Sequence, residues 1–181
     1  PARDVILKVR PGDPPELVAT LSLAEALDDD AVLGPFRAIP SKENGVDIEG
    51  LAVVDGTLLV GFRGPVLREG WAIVGVVDPD DPGDLDRRYL DLGGRGVRDL
   101  LVDREHVLVL AGPVGDEPRS YTVFRWNCRD CVPDEGVPGC TLEQLVELPP
   151  VEGKPEGLVR VGDDLLVLVD GGPTAYRVAM P

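Results

Sequence analysis

Asp47-Ile-Glu-Gly-Leu-Ala-Val-Val-Asp-Gly-Thr-Leu-Leu-Val-Gly-Phe-Arg-Gly-Pro65 recurs twice further along the chain. The second copy is Gly96-Val-Arg-Asp-Leu-Leu-Val-Asp-Arg-Glu-His-Val-Leu-Val-Leu-Ala-Gly-Pro113. The third is Lys154-Pro-Glu-Gly-Leu-Val-Arg-Val-Gly-Asp-Asp-Leu-Leu-Val-Leu-Val-Asp-Gly-Gly-Pro173. Glu49, Arg98 and Glu156 hold one equivalent position, at intervals of 49 and 58 residues. An apolar triplet starts nine residues after each of them, at Leu58, Val107 and Leu165, and each copy closes on Gly-Pro.

Each copy reads as a β-hairpin. A first strand of the Gly-Leu-x-Val type runs into a polar turn at Asp55-Gly56, Asp103-Arg104-Glu105 or Gly162-Asp163-Asp164. Asp-Gly is a hairpin-turn signal because such turns need positive φ. The second strand is a continuous apolar run, which means that both of its faces are buried. A more polar pair of strands follows: Trp71–Val77 with Arg88–Leu92, then Tyr121–Trp126 with Leu142–Leu148, then Tyr176–Met180 alone. Four strands in about 50 residues, repeated, are the pattern of β-propeller blades. An ordinary sandwich would give no reason for the repeat.

The expectation is therefore an all-β chain of about three four-stranded blades, forming a partial ring or the C-terminal part of a larger propeller. Residues 1–23 read as the outer strands of an earlier blade, through Val5–Val9 and Leu17–Leu23. Residues 24–46 read as a connection with a short helix, 47–92 and 96–148 as blades, and 153–181 as an incomplete last blade. Propellers close with roughly four to eight blades. The reading thus calls for an N-terminal remainder or a second chain to complete the ring.

Composition limits the function. The chain has 181 residues, a net charge of −15 and 43% hydrophobic residues, enough apolar content for a folded core. The acidic balance argues against nucleic acid and anionic lipid as partners. No uncharged apolar run reaches the roughly 18–20 residues of a membrane span. The 15 Arg against 3 Lys, with abundant Gly, Val, Asp and Pro, fit the coding bias of a GC-rich bacterium. The chain opens Pro1-Ala2-Arg3 with no visible signal peptide, and three cysteines leave at least one thiol outside an internal disulfide. The odd cysteine count inclines the reading toward a reducing, cytoplasmic compartment, while a signal peptide removed from the chain stays open.

Several segments resemble a bacterial family of predicted propellers, domain of unknown function 3616. They are Ser41-Lys-Glu-Asn-Gly-Val-Asp-Ile-Glu-Gly-Leu-Ala52, Leu59-Val-Gly-Phe-Arg-Gly-Pro65, Leu92-Gly-Gly-Arg-Gly-Val-Arg-Asp99, Phe124-Arg-Trp126 and Lys154-Pro-Glu-Gly-Leu158. The resemblance runs from about Ser41 to Gly172 and implies a propeller with a longer N-terminal part. The Glu-Gly-Leu units are more distantly similar to the phytase-like esterase propellers. The family has no established activity, so the resemblance transfers no catalytic residue.

In a propeller the starts of innermost strands and the ends of second strands meet at one rim. That places Lys42, Glu43, Asn44, Asp47, Glu49 and Arg63 there, with Arg95, Arg98 and Asp99 from the second unit and Lys154, Glu156 and Asp170 from the third. One reading is a scaffold that binds a small polar or anionic ligand, or a protein partner, since guanidinium matches carboxylate and phosphate. The alternative is a divalent-metal-dependent hydrolase of ester or phosphoester bonds, with Ca²⁺ held by the inward carboxylates. The plain structural reading is that Glu and Arg pair with one another across blades. The non-repeating Lys42, Glu43, Asn44, Arg63 and Arg95 are the better functional candidates. Ser41 lacks a nearby base, and Gly93-Gly-Arg-Gly96 lacks the Gly-Lys-Ser/Thr ending of a phosphate loop.

Cys128, Cys131 and Cys140, with His106 from the inner hairpin of the same unit, form a Cys₃His set suited to structural zinc. A disulfide between two of the cysteines is the alternative.

Overall fold

The computed structural model describes residues 4–127, 141–171 and 175–179. Almost all regular structure is antiparallel β. The chain opens with a two-stranded sheet, β1 (Val5–Arg10) and β2 (Glu16–Ser22). A short helix α1 (Ala24–Asp29) and 3₁₀ turns at Gly34–Phe36 and Ser41–Glu43 lead to the first complete blade. That blade is β3 (Asp47–Val54), β4 (Thr57–Gly64), β5 (Trp71–Asp78) and β6 (Asp81–Asp91), paired in sequence order. The second is β7 (Gly96–Asp103), β8 (His106–Gly112), β9 (Thr122–Asn127) and β10 (Thr141–Glu147). The third sheet holds β11 (Lys154–Val161), β12 (Asp164–Asp170) and β13 (Ala175–Ala179). These are propeller-like blades, and among the described residues they do not close a ring.

The hairpin turns carry the expected chemistry. Asp55 and Gly56 lie at φ 49° and 88°, Arg104 at 57° and Gly162 at 61°. Positive φ at these sites gives the twist that two-residue hairpins require.

β4 and β8 are apolar on both faces because each separates two cores, whereas β12 buries only Leu165 and Val167 on one face and leaves Leu168 of the other in solvent, contrary to the expectation of burial on both faces. On β4, Leu58, Val60 and Phe62 face a cluster with Leu23, Leu27 and Leu33 from the connection. Leu59 points the other way, into the core shared with the second blade. On β8, Val107, Val109 and Ala111 join that shared core, whereas Leu108 and Leu110 pack against Leu158, Leu165 and Val167 of the third sheet. Each fully buried Leu or Val contributes about 1.5–3 kcal/mol.

The innermost strands come close enough to need glycine. Gly50 and Gly61 pair across β3 and β4, and a Cβ on Gly61 would lie 2.5 Å from Val97 Cγ1 of β7. Val97 thus seats its methyl groups over two bare backbones of the neighbouring blade.

The outermost strand of the first blade differs from expectation. It starts at Asp81, not Arg88, and runs through Pro82. Proline lacks the N–H needed for pairing on both sides, and β6 is an edge strand with one side unpaired. The helical reading of the connection holds only for Ala24–Asp29. Beyond it, Asp30 accepts the N–H groups of Val32 (2.8 Å) and Leu33 (2.7 Å) and pairs with Arg87, tying the connection to β6.

The sheets at the two ends of the arc keep apolar side chains in solvent. Leu7 and Leu17 are exposed on the β1–β2 hairpin, as are Val159, Val161 and Leu168 on the third sheet. Among the described residues no helix is long and apolar enough to cross a membrane.

Candidate functional site

The three repeated charged residues share one backbone irregularity. Ile48 pairs with Phe62 and Gly50 with Gly61, leaving Glu49 between them. Val97 pairs with Ala111 and Asp99 with Leu110, leaving Arg98. Pro155 pairs with Val169 and Gly157 with Leu168, leaving Glu156. Each is the extra residue of a β-bulge, a device that redirects a side chain out of the strand's alternation.

The redirected side chains meet. Arg63 pairs with Asp47, and its Nη1 lies 2.7 Å from Glu49 Oε1. Arg98 Nε approaches Glu49 Oε2 at 2.9 Å, off hydrogen-bond alignment, and Arg98 Nη2 donates to Glu156 Oε1 at 2.7 Å. The order Asp47–Arg63–Glu49–Arg98–Glu156 spans all three blades. Arg98 is only 3% exposed, and Glu156, at 39%, is the wet end. Beside this chain Asp99 accepts the Leu158 N–H at 2.6 Å, a second link between the middle and third sheets.

Burial pushes the Glu49 carboxyl above its ordinary value, against the pull of Arg98 and Arg63. Burial likewise raises Asp99, opposed by the N–H groups of Leu158 and Leu100. Folding therefore favours the protonated form of Glu49. Its contribution is fully present below the ordinary glutamate value and is lost as pH rises through the raised one. Glu49→Gln removes this dependence. The stability of the variant relative to the native chain is expected to rise as pH climbs above about 4.5, the ordinary glutamate value, in urea melts. A relative stability that stays flat or falls with rising pH would contradict a buried, ionisable Glu49.

Above the ion-pair chain lies a cleft of about 190 Å³. Lys42, Arg63, Arg98, Arg119, Lys154 and Tyr121 line it together with the loop Pro113–Pro118. Arg119 Nη1 donates to Gly93 O at 2.6 Å, which fixes its guanidinium. Burial raises the Tyr121 phenol, which therefore remains a proton donor. Asp116 at the loop tip accepts from Lys42 Nζ at 2.9 Å, and Lys154 Nζ stands 3.7 Å away. Five cations (Lys42, Arg63, Arg98, Arg119, Lys154) line the cleft of a chain whose net charge is −15, and among the described residues all of them but Arg119 have a carboxylate partner (Asp47, Glu49, Glu156 or Asp116).

Of the residues expected at the rim, Lys42, Arg63, Arg98 and Lys154 line this cleft. Asp47, Glu49 and Glu156 stand behind it as ion-pair partners. Others serve the scaffold. The Asn44 amide is committed to Val66, accepting its N–H (2.7 Å) and donating to its carbonyl (3.0 Å). Arg95 donates to Ser120 O and Oγ, both at 2.8 Å, and to Leu92 O. Glu43 borders a shallow surface depression with Lys42 and Arg37. Asp170 pairs in register with Lys154 at the strand end.

Arg119, Tyr121 and Asp116 were missed. The signal was available: the segment after Gly112-Pro113 leaves the end of a second strand, which the blade geometry assigns to this rim. His106 opens β8 and pairs in register with Asn127. Cys128, Cys131 and Cys140, and with them the zinc and disulfide readings, lie outside the described residues.

Blade-like antiparallel sheets in series, with bulged charged residues meeting where the innermost strands begin, define an all-β protein of propeller-like build. Residues 18–180 match the family described as protein of unknown function (DUF3616), and the chain belongs to that family. Comparison with curated proteins and with solved structures finds no match.

Proposed function

We propose that the chain is a binding module that takes a small anion in the cleft between Lys42, Lys154 and Arg119. The observation that carries this reading is the convergence of Lys42, from the connection before the first complete blade, and Lys154, from the third sheet, on one exposed carboxylate. Ammonium groups brought together from separate elements bind an anion with little reorganisation, and charge-assisted contacts are the strong ones. Arg63 and Arg98 form the cleft wall, already oriented by Asp47, Glu49 and Glu156. Tyr121 adds a neutral donor. The acidic remainder of the surface repels large polyanions, so a small ligand fits better than nucleic acid.

Calorimetric titration with succinate and with inorganic phosphate at low salt tests this. Binding is expected for the native chain and is expected to weaken about tenfold or more in K42A/K154A. EDTA should leave it unchanged. The reading fails if neither anion binds, or if the double variant binds as well as the native chain. Loss of binding in EDTA would instead favour the metal-dependent hydrolase.

A further inference from the structure

The carboxylate between the two lysines belongs to the protein itself, which bears on what the ligand is. Asp116 sits at the tip of the Pro113–Pro118 loop joining β8 to β9. Glu117 accepts the N–H groups of Val114 (3.1 Å) and Gly115 (2.9 Å) and closes the tip into a tight turn. A Cβ on Gly115 would lie 2.9 Å from the Lys42 carbonyl oxygen, so the tip is pressed against the segment that carries Lys42. Both Asp116 oxygens accept from Lys42 Nζ, at 3.1 and 2.9 Å. Lys154 approaches the same carboxylate from the third sheet.

We infer that Asp116 is a tethered occupant of the anion site, and that the ligand is a small organic carboxylate which displaces it from Lys42 and Lys154. This rests on the anion-binding reading above and adds the ligand class and a built-in competitor. The Asp116 side chain is 66% exposed, so its carboxylate can rotate off the lysines into solvent without opening a core. The Lys42 ion pair holds the Asp116 carboxyl below its ordinary value, so it is ionised and competes at neutral pH. Once it leaves, Lys42 and Lys154 lose the carboxylate they share, and an incoming carboxylate takes its place. The apparent affinity of the native chain is lowered by the fraction of time that the site is self-occupied.

The test compares succinate binding to the native chain, D116N and D13N by calorimetry at low salt. D13N removes the same charge from the exposed hairpin at the other end of the arc and controls for net charge. D116N is expected to bind about three- to tenfold more tightly than the native chain, with D13N unchanged. Succinate binding that depends on Lys42 but is no tighter in D116N overturns the competitor and leaves the anion-binding reading standing. An equal gain in D13N overturns it in the same way. A gain for inorganic phosphate that exceeds the gain for succinate overturns the carboxylate class. No binding to any of the three proteins overturns both this inference and the reading it rests on.

Discussion

Arg98→Met is expected to cost about 3 kcal/mol of folding free energy, measured by urea denaturation at neutral pH. Methionine keeps most of the aliphatic length against Tyr121 and Gly112, so the substitution isolates the charge. Its removal strands Glu49, which is buried enough for its carboxyl to be pushed up even with two guanidinium partners. Arg63 remains for Glu49, and Glu156 can turn to water, which keeps the cost at the lower end for a broken buried pair. A loss below about 1 kcal/mol would be that of a surface ion pair and would contradict the enclosed chain.

Gly61→Ala is expected to cost about 2–3 kcal/mol, the range for overpacking a well-filled contact. Its new methyl group would meet Val97 Cγ1 at 2.5 Å and the Gly50 Cα at 3.2 Å. Residues 61 and 97 lie on different blades, so the clash exists only if the innermost strands pack side by side. Val97→Ala alone should also destabilise, by about 1–2 kcal/mol, through lost burial. The double variant should recover at least about 1 kcal/mol relative to the sum of the two. Strict additivity would mean that the two strands do not touch.

The repeat carried most of the architecture. The apolar triplets at Leu58, Val107 and Leu165 marked the second strands; at Leu58 and Val107 the strand lies between two cores and is apolar on both faces, whereas the strand marked by Leu165 has a core on one face only. The turns were legible at Asp55-Gly56 and Gly162 because positive φ leaves a compositional trace. The alternation Glu49, Arg98, Glu156 at one equivalent position already suggested pairing across blades. The bulge that makes the pairing possible was not legible. An extra residue in a strand changes no residue type, and the glycine that follows Glu49 and Glu156 is replaced by Asp99 after Arg98.

What remained hidden at the site depends on distance along the chain. Lys42 and Asp116 are 74 residues apart and meet because the first and second complete blades pack side by side. Neither has a local pattern that points to the other. Asn44 and Arg95 looked like ligand-binding side chains because they are polar, non-repeating and near glycine. Those same properties suit loop anchors, and backbone partners claim both of them. Pro82 masked the start of β6, since proline in a sequence signals a break unless the strand is known to be an edge.

The central claim is that side chains from bulges in separate sheets converge on one axis and bind one another there. A double-mutant cycle on Glu49→Leu and Arg98→Met measures it most directly. Glu49 comes from the first blade and Arg98 from the second, and no local element brings them together. The account predicts a coupling free energy of about 1.5–3 kcal/mol between them. Additive effects, with coupling below about 0.5 kcal/mol, would show that the two residues stand apart and would contradict it.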